Sequence, residues 1–436
     1  MKTVKAIAAA AALLVAGASL AGPLAQPAAA SPSAPTMGTS VPMAAVSGTA
    51  ALPTSLGLVE FLSLVRSHHP ALRAMPLVQG MEQADVRTAG TWENPSVHYS
   101  RKPDEKEWGI EQPLPIFGQI GMRTEAARLA AATGQAERAV ETQEVLSLAA
   151  LRFAELLTAQ QKLAAKQQAM QHLEQAAKVV LGQVELGARS KYDGARVELQ
   201  RAQVQALLEQ QESETLAAQA ALAEMLAQPQ WTPKAIGSLL PAKATQEEPS
   251  LDSMWQQAST RLPQLQAAHA KVTQTEQLIR QQAREALPTP TVGVARIRNR
   301  PDGDRYNQVG VSVELPLFDR KQGAIERARL EYTQAQLEED TAQQLARQRL
   351  QQAYTQRNLL RKTLRSFETR GLTQLDPLRQ MAQDSYRLGQ SSILEWLDAM
   401  ESVADHQQQY LDLSLRAWQA DWELNAARGQ LPFSAE

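Results

Sequence analysis

Four stretches of the chain, 135–181, 195–228, 324–370 and 390–428, contain neither glycine nor proline. Each is far longer than the usual globular helix of about 11–12 residues. Such spans are expected to form long amphipathic helices packed as coiled coils. From about 119 to 186 one helix would extend on the order of 100 Å at 1.5 Å per residue. In the second half, Gly371 and Pro377 are expected to break the equivalent helix near its middle. Abundant Gln and Ala with few aromatics suit this arrangement better than a large layered core.

The long spans come in matched pairs because the chain is one unit written twice. SHHPALRA (67–74) matches TRLPQLQA (260–267), and ENPSVHYS (93–100) resembles LPTPTVGV (287–294). PLPIFGQIG matches ELPLFDRKQG, aligning Pro115 and Phe117 with Pro316 and Phe318. ELGARSKYD (185–193) matches RLGQSSILE (387–395), aligning Gly187 with Gly389. These two glycines suit left-handed C-terminal caps. Ser190-x-x-Asp193 and Ser392-x-x-Glu395 then restart the next helix as capping boxes. The expected organisation is a first repeat over 56–228, a proline-rich linker at 229–250 and a second repeat over 251–430. The first hairpin would lie near 94–115 with helices at about 119–228, the second near 289–316 with helices at about 319–428.

Between the helices lie short segments of a different period. In YNQVGVSVEL (306–315), Val309, Val311, Val313 and Leu315 alternate with Gln308, Gly310, Ser312 and Glu314. In the first copy Trp108 and Ile110 share a face opposite Glu107 and Glu111; residues 289–298 alternate less cleanly. Each segment has about the 9–11 residues of a tilted transmembrane strand. Trp92, Tyr99, Trp108, Phe117, Tyr306 and Phe318 collect in these zones, as aromatics do at a membrane interface. Hairpins capping a soluble helical bundle are the alternative. Four strands cannot close a membrane barrel, and an open edge in lipid leaves backbone groups unpaired. If the hairpins enter a membrane, several chains must share one barrel.

The N-terminus points to export. Basic MKTVK, the apolar AIAAAAALLVAGASLA and small-residue sites ending at Ala21 or Ala30 form a signal-peptide layout over 1–30. Residues 31–55 look like a flexible leader. The chain has no cysteine, so no lipid-modified N-terminal cysteine and no thiolate metal site is expected. A net charge of -2 with mixed signs gives no nucleic-acid footprint. No H-E-x-x-H, G-x-S-x-G or P-loop pattern occurs, so no enzyme and no cofactor is expected. The six histidines show no chelating spacing, so no metal site is expected.

The duplication, the two P-[IL]-F junctions and the LG-x-x-S-x-x-[DE] turns make the chain resemble the TolC-type outer-membrane efflux proteins over about 56–430. ELPLFDRKQGAIERAR (314–329) looks most like the cobalt-zinc-cadmium resistance branch. The resemblance implies a mainly α fold with a small membrane β part. Each chain would form one third of a trimeric α-helical tunnel capped by a 12-stranded β-barrel, with four strands per chain. It implies a homotrimer in outer-membrane lipid, reaching through the periplasm. The implied partners are a periplasmic adaptor (membrane fusion) protein and an inner-membrane pump of the resistance-nodulation-division type. The cargo would be heavy-metal cations; drugs, small organics or secreted polypeptides are the alternative, and a periplasmic coiled-coil adaptor is an alternative of another class.

The tips at 184–198 and 386–400 correspond to the family's periplasmic entrance. The matching residues are Tyr386, Glu395 and Asp398, with Arg189, Asp193 and Arg196 on the first-copy tip. Gly187, Ser190, Gly389 and Ser392 form the turns that would meet the adaptor. Glu395 has a bland explanation as the capping acid, whereas Asp398 lies beyond the cap. Repeated threefold, the two acids would attract cations. Pairs between Arg189 or Arg196 and Asp398 would hold a closed state; solvated charges at exposed helix ends are the alternative. Pro115, Phe117, Pro316 and Phe318 would mark the change from barrel to tunnel.

Overall fold

The structure is a computed structural model and describes residues 52–239, 249–299 and 302–430. The expected signal peptide and most of the leader lie outside these residues. The first repeat runs α1 (Leu58–His68), α2 (Pro70–Ala89), β2 (Ser96–Arg101), β3 (Glu105–Pro113), α3 (Gln119–Glu185) and α4 (Lys191–Glu224). The second runs α5 (Leu251–Arg261), α6 (Pro263–Glu285), β5 (Pro290–Asn299), β6 (Arg305–Val313), α7 (Gln322–Phe367), a π-turn (Glu368–Leu372), α8 (Thr373–Arg387) and α9 (Ile393–Ala427). Ahead of α1, β1 (Ser55–Leu56) pairs in parallel with β4 (Lys234–Ala235), which lies between the repeats.

The two repeats share their local punctuation. His69 and Leu262 both take extended ψ angles, 129° and 118°, before a proline that opens α2 or α6. A residue before proline is steered away from the helical region, and proline suits the first helical position. The long helices differ. α3 runs unbroken for 67 residues, about 100 Å of rise. Its counterpart is divided by the π-turn, and Pro377 sits inside α8. Proline removes the N–H that would reach Thr373 and crowds that carbonyl, so the ladder widens just upstream.

α3 packs against α2, α4, α6 and α9, and α7 packs against α6 and α9. Salt bridges tie the halves together. Arg123 Nε of α3 lies 3.1 Å from Glu285 of α6, and Lys162 of α3 lies 2.6 Å from Asp412 of α9. Within the second repeat Asp421 receives both Arg357 (2.9 Å) and Arg361 (2.8 Å).

The described ends of the leader and linker are tied to each other and to the helices. Trp231 Nε1 donates to the Pro53 carbonyl (3.0 Å), and Lys234 N donates to that of Thr54 (2.7 Å). Phe61 stacks on Phe153 and Trp231, Leu56 and Ala235 are buried in the same core, and Pro233 is fully buried. The ends assigned to leader and linker by their composition therefore pin α1 onto α3. A second core joins α5, α6, α7 and α9 through Met254, Leu265, Leu350 and Leu424.

The four long strands form one sheet in the order β2-β3-β5-β6, antiparallel throughout. Both hairpins thus lie side by side, joined by β3 and β5. No helix among the described residues is long and apolar enough to cross a membrane.

Candidate functional site

At the far end of α3, Gly187 takes φ +73°; the Gly187 N–H reaches the Val184 carbonyl and the Ala188 N–H that of Gln183. At the end of α8, Gly389 takes φ +74°, with Gly389 N–H to Tyr386 and Gln390 N–H to Ser385. This is the Schellman pattern twice, and the left-handed residue is a glycine both times. Ser190 Oγ then accepts from the Asp193 N–H (3.2 Å), and Ser392 Oγ from that of Glu395 (3.3 Å). Only the second copy completes the reciprocal box, because Glu395 reaches back to the Ser392 N–H (2.9 Å). The shorter Asp193 makes no such bond among the described residues.

The two tips share one core. Leu173, Ala177, Val180 and Val197 from the first copy meet Tyr386, Ile393, Trp396 and Leu397 from the second. Tyr386 is buried between Trp396, stacked at 5.6 Å, and the Arg189 guanidinium, 4.6 Å above its ring. Arg189 also donates to the Tyr386 carbonyl (3.2 Å). Burial pushes the Tyr386 phenol above its ordinary value, with Arg189 opposing the shift and Asp193 adding to it. Within the protomer, then, Arg189 is held by Tyr386 and not by Asp398. Glu395 and Asp398 are exposed and Arg196 is half-buried; neither Arg196 nor Asp398 joins an ion pair among the described residues. Trp396, which completes the stack, is a residue that sequence reasoning missed. Its spacing from Ile393 and Leu397 was the available signal.

The two sheet-to-helix junctions also repeat. Leu114 N donates to the Pro290 carbonyl (2.7 Å) as the last rung before buried Pro115. Ile116 N then bonds the Leu114 carbonyl, as Leu317 N bonds that of Leu315. A left-handed residue follows in each copy, Gly118 (φ 84°) and Lys321 (φ 58°), before α3 and α7 begin. Pro316 is half-buried, while Phe117 and Phe318 project outward with Ile116, Leu315 and Leu317.

Between junction and hairpin turn, the register sorts side chains onto two faces. One carries the rows Val97–Ile110–Val294–Val309 and Tyr99–Trp108–Arg296–Asn307. Its apolar members are exposed, Val309 at 71% and Val97 at 64%. The other face carries Ser96, Glu111, Gly293 and Gly310, then His98, Gly109, Ala295 and Gln308. His98 lies over Gly109, where a Cβ would overlap the ring, and faces Glu107 (3.6 Å) and Glu111 (4.0 Å). Tyr306 pairs with Ile297 on this polar face, opposite the face that carries Tyr99 and Trp108. Among the described residues no group of three or more His, Asp or Glu is arranged to hold a metal ion.

Residues 254–430 match the family model described as outer membrane efflux protein. No curated protein matches the chain. Among solved structures, CusC superposes with a TM-score of 0.72 at 17% identity, covering 86% of this chain and 92% of that one; its description concerns transmembrane channel formation. VceC, an outer membrane protein of Vibrio cholerae, gives 0.69 at 17%, covering 86% and 96%. The MtrE outer membrane channel of Neisseria gonorrhoeae gives 0.68 at 17%, covering 85% and 88%. The chain shares their fold.

Proposed function

We propose that the chain is one third of a trimeric outer-membrane efflux conduit, a passive channel and not an enzyme. The observation that carries this reading is the four-stranded sheet. It has one exposed apolar face, one polar face and, among the described residues, two unpaired edges. It leads into α3, about 100 Å long, and into the interrupted course of α7 and α8. In lipid both edges need partners, and three such sheets make twelve strands. The polar face, with His98, Glu107 and Glu111, lines the pore.

The duplicated tips are the periplasmic entrance, where Gly187, Ser190, Gly389 and Ser392 form the turns offered to an adaptor protein and, through it, to an inner-membrane pump. Among the described residues of their own protomer Arg196 and Asp398 have no ion-pair partner, which leaves both available to a neighbouring one. Charge pairs between protomers hold the entrance narrow, and the exposed Glu395 and Asp398 favour cations. The cargo is heavy-metal cations, a reading supported by the ELPLFDRKQGAIERAR stretch and by these acids.

Conductance in planar bilayers tests the conduit. The purified chain should give discrete single-channel steps, and Asp398→Asn with Arg196→Gln should raise the closed-state conductance. No steps would sink the channel reading; unchanged conductance would sink the gate. A deletion strain should gain sensitivity to cobalt, zinc or cadmium. Sensitivity to drugs alone would overturn the metal cargo.

A further inference from the structure

One row of the sheet is unlike the rest. The pairs Arg101↔Lys106, Lys106↔Arg298 and Arg298↔Arg305 set four basic residues side by side across β2, β3, β5 and β6. At about 4.8 Å per strand the row spans about 14 Å. It stands at the turn end of both hairpins, on the exposed apolar face, next to the Tyr99–Trp108–Arg296–Asn307 row. Arg101, Arg298 and Arg305 are exposed and Lys106 is half-buried. None of the four has an ion-pair partner among the described residues; the nearby Lys102 has one, in Glu105 (3.6 Å). Asp104, Asp302 and Asp304 lie in the turns beyond the row, outside its register.

Like charges directly opposite on neighbouring strands destabilise a sheet. Four in succession call for counter-charge from outside the chain. The neighbouring rows say what kind of molecule supplies it. Below the cations come two aromatics with a further arginine, then Val97, Ile110, Val294 and Val309. A ligand lying along this face meets cations at one end and apolar surface along its length. A free anion would use only the first part, and a soluble acidic protein would not use the second. An acyl lipid whose headgroup carries phosphate uses both. Arginine binds phosphate through paired N–H donors, and lysine does so as a point charge.

We propose that this row is a docking site for a lipid of the outer leaflet, a glycolipid bearing more than one phosphate on its headgroup. The proposal rests on reading the hairpins as membrane strands. In a closed ring the row would recur in every protomer as a basic collar above the apolar band.

The test uses the full-length protein in detergent or nanodiscs with lipid A as the probe, by native mass spectrometry and by the temperature at which the oligomer dissociates. Bisphosphorylated lipid A should bind and raise that temperature. Arg101→Gln, Lys106→Gln, Arg298→Gln and Arg305→Gln together should weaken binding at least about tenfold. Replacing the three arginines with lysine should restore most of it, which separates lost charge from misfolding. Equal binding of dephosphorylated lipid A would overturn the proposal, as would full competition by inorganic phosphate. Loss of binding on adding a chelator would assign the lipid to cations held by the turn acids and overturn it too. Wild-type conductance in planar bilayers tests the channel reading separately, because a conducting oligomer indifferent to lipid A leaves the conduit standing and removes only the collar.

Discussion

The two repeats solve the same problem with different degrees of freedom. In the first, α3 is continuous from junction to tip. In the second, the same course is interrupted by the π-turn at Glu368–Leu372. That turn is buttressed from α9: Phe367 stacks on His406 and Tyr410, and the Tyr410 hydroxyl donates to Glu368 (3.2 Å). The second-copy tip also brings the aromatic half of the shared core, Tyr386 and Trp396, against the aliphatic half from the first. A rigid strut beside a jointed one means that displacement of the tip is absorbed at an identifiable place, the π-turn.

The comparison can be broken most severely at the shared core. Trp396→Ala removes a fully packed aromatic and should cost about 3–5 kcal/mol, read as a fall in the unfolding midpoint of the helical signal. It should also free Tyr386 and Arg189, detectable as altered tyrosine fluorescence. Next comes the proline exchange. Gln175 in α3 aligns with Pro377 and is exposed. Gln175→Pro should cost about 3 kcal/mol or more in the unbroken helix, whereas Pro377→Ala should cost little or stabilise. Equal costs would remove the distinction between strut and joint.

Alkaline titration should expose the asymmetry more gently. The Tyr386 and Tyr410 phenols are both raised above the ordinary value, burial being the main cause and Glu368 adding to the shift at Tyr410. The folded state holds their protons more tightly than the unfolded state. Their contribution is therefore full below the unfolded value of about 10 and is lost as pH rises through the folded values. Tyrosinate absorbance should appear late for these two, together with loosening of the second-copy tip. The smallest effect lies at the junctions. Lys321 adopts the left-handed conformation that Gly118 adopts in the first copy. Lys321→Gly should gain up to about 1 kcal/mol and Gly118→Ala should lose a similar amount, by thermal unfolding.

Where structure is written in adjacent residues, the sequence was readable. The Leu-Gly turns and the Ser caps need only a left-handed glycine and a side chain three residues from its partner. The interruption after Phe367 was signalled by Gly371 and Pro377, but its π form depends on how α9 packs against it. Arg189 was read from its charge alone; its contact with Tyr386 within the protomer joins residues distant in sequence and comes into reach only when the two tips pack. The zone that groups Tyr306 with Tyr99 and Trp108 says nothing of facing; its parity relative to Val309 puts it on the other face. The basic row was invisible for a further reason. It depends on β3 pairing with β5, a contact between the two repeats, and on turns whose lengths bring four separate residues into line.

The two unpaired edges of the sheet have a genetic consequence. In the proposed three-protomer ring every edge must be sound, because one blocked strand leaves a gap that its neighbours cannot fill. A proline placed in β2 or β6 would act on the assembly and not merely on its own copy. Co-expressed in equal amount with the unaltered chain, such a subunit would leave about one ring in eight intact if mixing is random. A mutation of this kind would be dominant, whereas one confined to the helix tips need not be.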